Sequence, residues 1–394
     1  MNKRTIGECF YQIRNGANIK QGMVEGGFPI TRIETIANDK FNRDRMGYAG
    51  ITDAEKYKKY ILEDGDLLMS HINSAQYLGR TVLYKKNGDE KIIHGMNLLG
   101  LKANREIIEP AYAKYYFYSK PFREQINRIT KKSVNQASFA VADLKRLTIL
   151  VPPLSKQHEV VDVLDKINKI ITFRQQQLAK LDELVKARFV EMFGNPLDGT
   201  AKYLIHQVGK VAEAVDPQPS HRTPPIKEGG IPYVSIKDCD YKTGKIDFQG
   251  ARRVSTKVLE EHLQRYTLKD GDFIIGKIGT IGQPIFVPAR RDYALSANIV
   301  LIQPDNEQVS PYFLKYSFES DFVERQFAEA KNSTSQAAFG IQKVRTIEIM
   351  DPDLDVQRTF ERSVKQIDKL KLSVQKSLEQ METLKKALMQ KYFG

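Results

Sequence analysis

Cysteine is nearly missing from this chain of 394 residues, which has only Cys9 and Cys239. A disulfide framework, which small secreted domains use in place of a large core, is therefore excluded. Long apolar runs are missing too. No stretch of about 18 apolar residues occurs, so no membrane-spanning helix is expected. The first dozen residues hold no apolar segment of the length a secretory signal needs, and the cytoplasm is the expected location. Histidine is sparse. His71, His94, His158, His206, His221 and His262 show no ligand spacing with the cysteines, and no metal site is expected.

Negative charge is in deficit as well. Lys and Arg number 61 against 48 Asp and Glu, a net charge of +13. Such an excess favours a polyanionic partner, because Lys and Arg on phosphates release counterions. The excess is uneven. Residues 1–150 carry 25 basic and 16 acidic groups, whereas residues 201–350 carry 20 and 18. Charge alone is therefore a weak argument for the second half. Hydrophobic residues make up 41% of the chain, enough for sizeable cores, and its length suggests two or more domains.

What the chain does contain is a repeat, offset by 200 residues. Laid over 351–394 without a gap, residues 151–194 are identical at 12 of 44 positions. The matches include Pro152/Pro352, Leu154/Leu354, Gln157/Gln357, Ile167/Ile367, Phe193/Phe393 and Gly194/Gly394. Upstream, Gln136-Ala137 falls over Gln336-Ala337, and Phe139 over Phe339. With small gaps, Asp64-Gly65-Asp66 matches Asp270-Gly271-Asp272. The order is a variable body (1–150), a helix (151–196), a second variable body (197–350) and a second helix (351–394).

Both helical tracts carry apolar residues at heptad spacing. The first seam reads Val160, Leu164, Ile167, Ile171, Leu178, Leu181, Val185, Met192. The second reads Phe360, Val364, Ile367, Val374, Leu378, Met381, Leu388, Tyr392. Arg174 and Arg188 interrupt the first, Lys371 and Lys385 the second. Ser155 and Asp355, each after a proline, are the expected N-caps. Gly194 and Pro196 mark the stop of the first helix. Two such seams most simply pair with each other as an antiparallel coiled coil. The expected fold is α+β with a pseudo-two-fold internal repeat. Alternatives are an oligomerising coiled coil, or helices packed only on their own bodies.

The bodies show matched elements. Asp66–Met69 and Asp272–Ile275 read as buried strands entered through Asp-Gly turns. Thr81–Tyr84 and Pro284–Val287 read as the next strands. Pro110 and Pro311 start helices.

With these marks assembled, the chain resembles the specificity subunits of type I restriction–modification systems. The resemblance covers nearly the full length. It rests on the paired Pro-x-Leu-x-x-Gln helix starts, the Phe-Gly exits, the Gly-Asp-apolar strands and the loop Gly276-Lys-Ile-Gly-Thr-Ile-Gly282. The first body departs from that loop pattern, with Ser70-His-Ile-Asn-Ser-Ala-Gln76. The resemblance implies two target-recognition domains, each reading one half of a split, asymmetric duplex DNA target. It implies that the helices set the gap and dock two methyltransferase subunits, and that restriction subunits join the full complex. S-adenosylmethionine, ATP and magnesium would sit on those partners, one of which flips and methylates an adenine. This chain itself would hold no cofactor and catalyse nothing.

Base readout calls for forked donors and amides, and phosphate contact for Lys, Arg, Ser and Thr. Candidates in the first body are Ser70, His71, Asn73, Gln76, Arg80, Lys131, Lys132, Asn135 and Gln136. In the second they are Lys277, Thr280, Gln283, Lys331, Asn332, Thr334 and Gln336. Gln136 and Gln336, shared by both repeats, could equally support the fold.

Catalytic signatures fail on inspection. Gly271–Ile278 approaches a phosphate-binding loop but has Ile278 where a hydroxyl should hold magnesium. Asn195-Pro196-Leu197-Asp198 lacks the second proline and the aromatic of an adenine-methylating motif. Glu329-Ala330-Lys331 lacks the carboxylate strand of a nuclease. Two other readings stay open: a basic scaffold for protein or RNA, and a detached specificity part of a fused restriction–methylation enzyme.

Overall fold

The sequence repeat returns as two copies of one set of elements. The computed structural model describes residues 2–24, 27–134, 136–220, 222–241, 243–277, 282–332 and 340–394, with 331 and 332 described in backbone only. The chain divides into two units. One joins residues 1–175 to 376–394; the other is residues 176–375.

In the first unit, β1 (Asn2–Thr5) pairs antiparallel with β9 (Thr148–Val151), closing the body onto its own start. A four-stranded antiparallel sheet contains β2 (Phe10–Asn15), β3 (Leu67–Ser70), β5 (Thr81–Leu83) and β6 (Leu98–Ala103), in the spatial order β2-β6-β3-β5. Helices α1 (Pro110–Phe117), α2 (Lys120–Ile129) and α3 (Val141–Arg146) follow. Strand β3 is buried on both faces, which is why it reads as an unbroken apolar run. Leu67 and Met69 enter the main core with Phe117 and Phe122, and Leu68 faces the other way, onto Val82 and Tyr84.

The second unit repeats this plan. There β10 (Ile205–Gln207) pairs with β18 (Glu348–Met350). Strands β11 (Ala212–Val215), β14 (Phe273–Gly276), β15 (Ile285–Phe286) and β17 (Ile299–Pro304) form a sheet in the order β11-β17-β14-β15. Helices α5 (Pro311–Phe318), α6 (Asp321–Asn332) and α7 (Ile341–Arg345) match α1 to α3. The second body also carries a sheet in which β12 (Ile231–Val234) lies between antiparallel β13 (Arg252–Val254) and parallel β16 (Ala294–Leu295).

The shared Asp-Gly-Asp has a local cause. Gly65 and Gly271 take φ of +91° and +94°, which only glycine adopts without strain. The following aspartate then folds back onto the turn. Asp66 accepts from the Glu63 amide at 2.9 Å, and Asp272 from the Lys269 amide at 2.8 Å.

The long helices are α4 (Leu154–Phe193) and α8 (Leu354–Phe393), 40 residues each. They start two residues earlier than the expected caps imply. Pro153 and Asp353 occupy the cap positions, their carbonyls accepting from Gln157 and Gln357 amides at 3.1 Å, and Ser155 and Asp355 lie inside the first turn. The anchor is instead a buried glutamine. Gln157 Nε2 donates to Pro152 O (2.8 Å) and Ile107 O (2.9 Å), and its Oε1 accepts from Glu109 N (2.8 Å). Gln357 Nε2 donates to Pro352 O and its Oε1 accepts from Ser310 N, both at 2.8 Å. The Pro-x-Leu-x-x-Gln signature is therefore a latch between each helix start and its body. Helix α4 stops at Gly194, whose φ is +79°.

Pairing is antiparallel within each unit. In the first, Val160 and Leu164 near the start of α4 share a core with Phe393, and Leu388, Met389 and Tyr392 pack against it. In the second, Val185, Phe189 and Phe193 near the end of α4 meet Phe360, Val364 and Ile367 near the start of α8. Among the seam residues, Leu164, Ile167, Val364, Ile367, Val374 and Leu378 are buried. Ile171, Leu178, Leu181 and Met381 are half-buried. Lys371, a polar break, reaches Asp182 at 2.7 Å. Each Phe-Gly exit serves the other repeat's body. Phe193 packs on Phe313 at 4.8 Å between ring centres, and Phe393 on Tyr112 at 5.2 Å.

Candidate nucleic-acid interface

Two segments of the first body, distant in sequence, share one small sheet. Strand β3 ends at Ser70, and the chain continues through His71 into β4 (Ile72–Asn73). Strands β7 (Lys131–Lys132) and β8 (Ala137–Ser138) form a hairpin, and β4 pairs with β8 in the order β4-β8-β7. Ala137 stands opposite both Asn73 and Lys132. The hairpin is closed by Ser133, whose N and Oγ donate to Gln136 O at 2.8 and 2.9 Å. Lys131, Lys132 and the Gln136 side chain are exposed. The structure thus brings together two groups of candidates that sequence reasoning chose separately; Asn135 lies outside the described residues.

The remaining first-body candidates divide by burial. Gln76 is exposed, and Asn73 and Arg80 are half-buried. Arg80 is held by Asp39 at 3.1 Å and lies 4.5 Å above the Tyr77 ring, a cation–π geometry that stiffens its guanidinium. Ser70 and His71 are buried. Ser70 ends the strand: its N donates to Arg80 O and its O accepts from Gly79 N. His71 Nε2 is 3.5 Å from Asn15 Nδ2, its ring edges onto Phe139, and Nδ1 is buried with no partner. Burial lowers its pKa, so the imidazole is neutral near pH 7.

The sheet registers place Lys277 where His71 stands, and Asp216 where Asn15 stands. Lys277 Nζ meets Asp216 Oδ2 at 2.8 Å and donates to Ala297 O at 3.1 Å. Lys277 is only 5% exposed, so its ammonium faces the protein and not a phosphate. One repeat therefore anchors the base of its loop with a neutral pair and the other with an ion pair. In the sequence His71 and Lys277 are marked only as polar loop residues; their burial depends on packing, and Asn15 and Asp216 carry no signal beyond closing a strand.

Of the other second-body candidates, Gln283 is exposed. Thr280, Thr334 and Gln336 lie outside the described residues, as do the side chains of Lys331 and Asn332, whose backbone completes α6. Among the described residues, no three His, Cys, Asp or Glu are grouped to hold a metal, and no helix is long and apolar enough to cross a membrane.

The fold and this surface define a protein with two α+β bodies of one plan, each followed by a long helix, and different polar groups at matching loop positions. The family model described as the type I restriction modification DNA specificity domain matches residues 1–183 and 222–383, and the chain belongs to that family. A protein of Methanocaldococcus jannaschii that carries the name type I restriction enzyme MjaX specificity subunit is 27% identical over 401 residues, covering 98% of this chain and 91% of that one. The type I restriction enzyme EcoKI specificity subunit of Escherichia coli is 23% identical over 191 residues, 47% of this chain and 41% of its own. The crystal structure of the type I restriction-modification S subunit from M. genitalium superposes with a TM-score of 0.59 at 14% identity, covering 100% of this chain and 96% of that one. The expected family and fold class are thereby shown.

Proposed function

We propose that this chain is the subunit that reads a split duplex DNA target for a type I restriction–modification complex. The observation that carries the reading is the repeated plan: equivalent scaffolds present non-equivalent loop residues, as at half-buried Arg80 and exposed Gln283, which the strand registers place at matching positions. A shared scaffold with different readers is what recognition of two unlike half-sites requires. In the first body, exposed Lys131 and Lys132 contact phosphates, and Gln76, Asn73 and Arg80 approach base edges. Gln283 serves the corresponding loop of the second body. The complex has two methyltransferase subunits docked on this chain and, for cleavage, restriction subunits. S-adenosylmethionine, ATP and magnesium belong to those partners, the chain itself is non-catalytic, and it works in the cytoplasm.

The experiment is a methylome. The chain is expressed with its methyltransferase partner in a host without adenine methylation, and modified bases are mapped. The expected result is methylated adenine in one split motif, lost when this chain is omitted. A folded, donor-bound partner that methylates nothing with this chain present would refute the reading.

A further inference from the structure

Val134 is 99% exposed, the most exposed of the large apolar side chains among the described residues. It stands at the tip of the β7–β8 hairpin, next to Ser133, whose two bonds to Gln136 O close the loop. A single exposed apolar residue is ordinary on a protein surface. This position is not an ordinary one. Hairpin tips favour Gly, Asn, Asp and Ser, which satisfy turn geometry or bond to water. A β-branched hydrocarbon there has neither advantage. Its neighbours on the ribbon, Lys131 and Lys132, are exposed cations, and β8 ties the ribbon to the strand that carries Asn73. The repeat offers a second indication. At the 200-residue offset Lys131, Ser133 and Gln136 recur as Lys331, Ser333 and Gln336, and Val134 falls over Thr334, a side chain of the same shape with one methyl kept.

We infer that Val134 is a specificity-determining residue that reads the C5 methyl of one thymine in the half-site bound by the first body. A two-stranded ribbon fits the major groove, and the thymine methyl is the apolar feature there that distinguishes A·T from G·C. Lys131 and Lys132 would hold the flanking phosphates and set the depth of the tip. The inference rests on the DNA-reading function proposed above.

The test uses the complex of this chain with its methyltransferase, on duplexes carrying the motif found by the methylome. Each thymine of the first half-site is replaced in turn by deoxyuridine, which removes only the methyl. One replacement should weaken binding about fourfold, the equivalent of about 0.8 kcal/mol for one buried methyl. Val134→Ala should weaken binding to the thymine duplex to a similar degree, and should lose no more on that deoxyuridine duplex. Val134→Thr should retain most of the coupling. Responses to deoxyuridine in the second half-site should match wild type, which controls for folding. If the deoxyuridine effects are the same in Val134→Ala and wild type at every position, or if the first half-site has no A·T pair, the inference is overturned. A complex that methylates no split target overturns the function beneath it, and this inference with it.

Discussion

Replacing Gln157 with Met should cost the first unit about 3–5 kcal/mol, because three main-chain groups lose their partner. Methionine matches glutamine in length and flexibility, so the core is not emptied. The amide's bonds to Pro152 O, Ile107 O and Glu109 N disappear, and Gln157 is fully buried, so water does not replace them. Leaving a buried polar group unmatched costs about 1–3 kcal/mol, and partial exposure around Glu109 brings the total to the lower part of the sum. Gln357→Met strands two groups, Pro352 O and Ser310 N, and should cost the second unit about 2–3 kcal/mol. The assay is urea unfolding of the full chain, with hydrogen exchange resolved by peptide to identify the unit affected. In Gln157→Met, amides of 107–116 should exchange faster while those of 311–318 stay protected. Gln357→Met should give the converse. A Gln157→Met chain within about 1 kcal/mol of wild type, with unchanged exchange at Glu109, would refute the latch.

Three further outcomes are expected. Lys277→Met leaves the Asp216 carboxylate unpaired in a mostly buried site and should destabilise the second unit by about 3–5 kcal/mol, with much of the loss restored by Asp216→Leu in the double variant; urea unfolding measures both. Acid should weaken both units. Burial drives the pKa of His94 in the first and His262 in the second down to about 4, so the unfolded chain binds their protons first. The stability due to neutral imidazole is fully present above about pH 6.5 and is lost as pH falls toward 4, about 3 kcal/mol for each, and a pH series of unfolding free energies that is flat between 6.5 and 4 would contradict this. Gly194→Ala should destabilise the end of α4 by at least about 1 kcal/mol, because φ is +79° and the new Cβ would lie 1.9 Å from Thr200 O; thermal unfolding that matches wild type would show that the turn relaxes freely.

The repeat, the helices and the family were legible because they depend on period and identity, which survive in one dimension. A heptad seam, a Pro-led helix start and an Asp-Gly turn are local events, each set by a few adjacent residues. Much else required the tertiary structure. Heptad spacing passed over Phe189 although it lies in the seam, since the end of α4 turns its apolar stripe toward Phe313 and Phe360. The sequence marked Gln157 and Gln357 as shared but not as buried. Their role depends on main-chain groups some fifty positions away, Ile107 O and Glu109 N for Gln157 and Ser310 N for Gln357. Polarity alone made His71 and Lys277 look like readers, and only packing revealed them as anchors. The same packing joined Asn73 to Lys132 through Ala137 and left Val134 alone at a tip. Local chemistry determined which elements form and that they form twice. Which polar groups face water and which face each other was decided by strand pairing between distant segments, because burial belongs to the folded surface and not to any residue type.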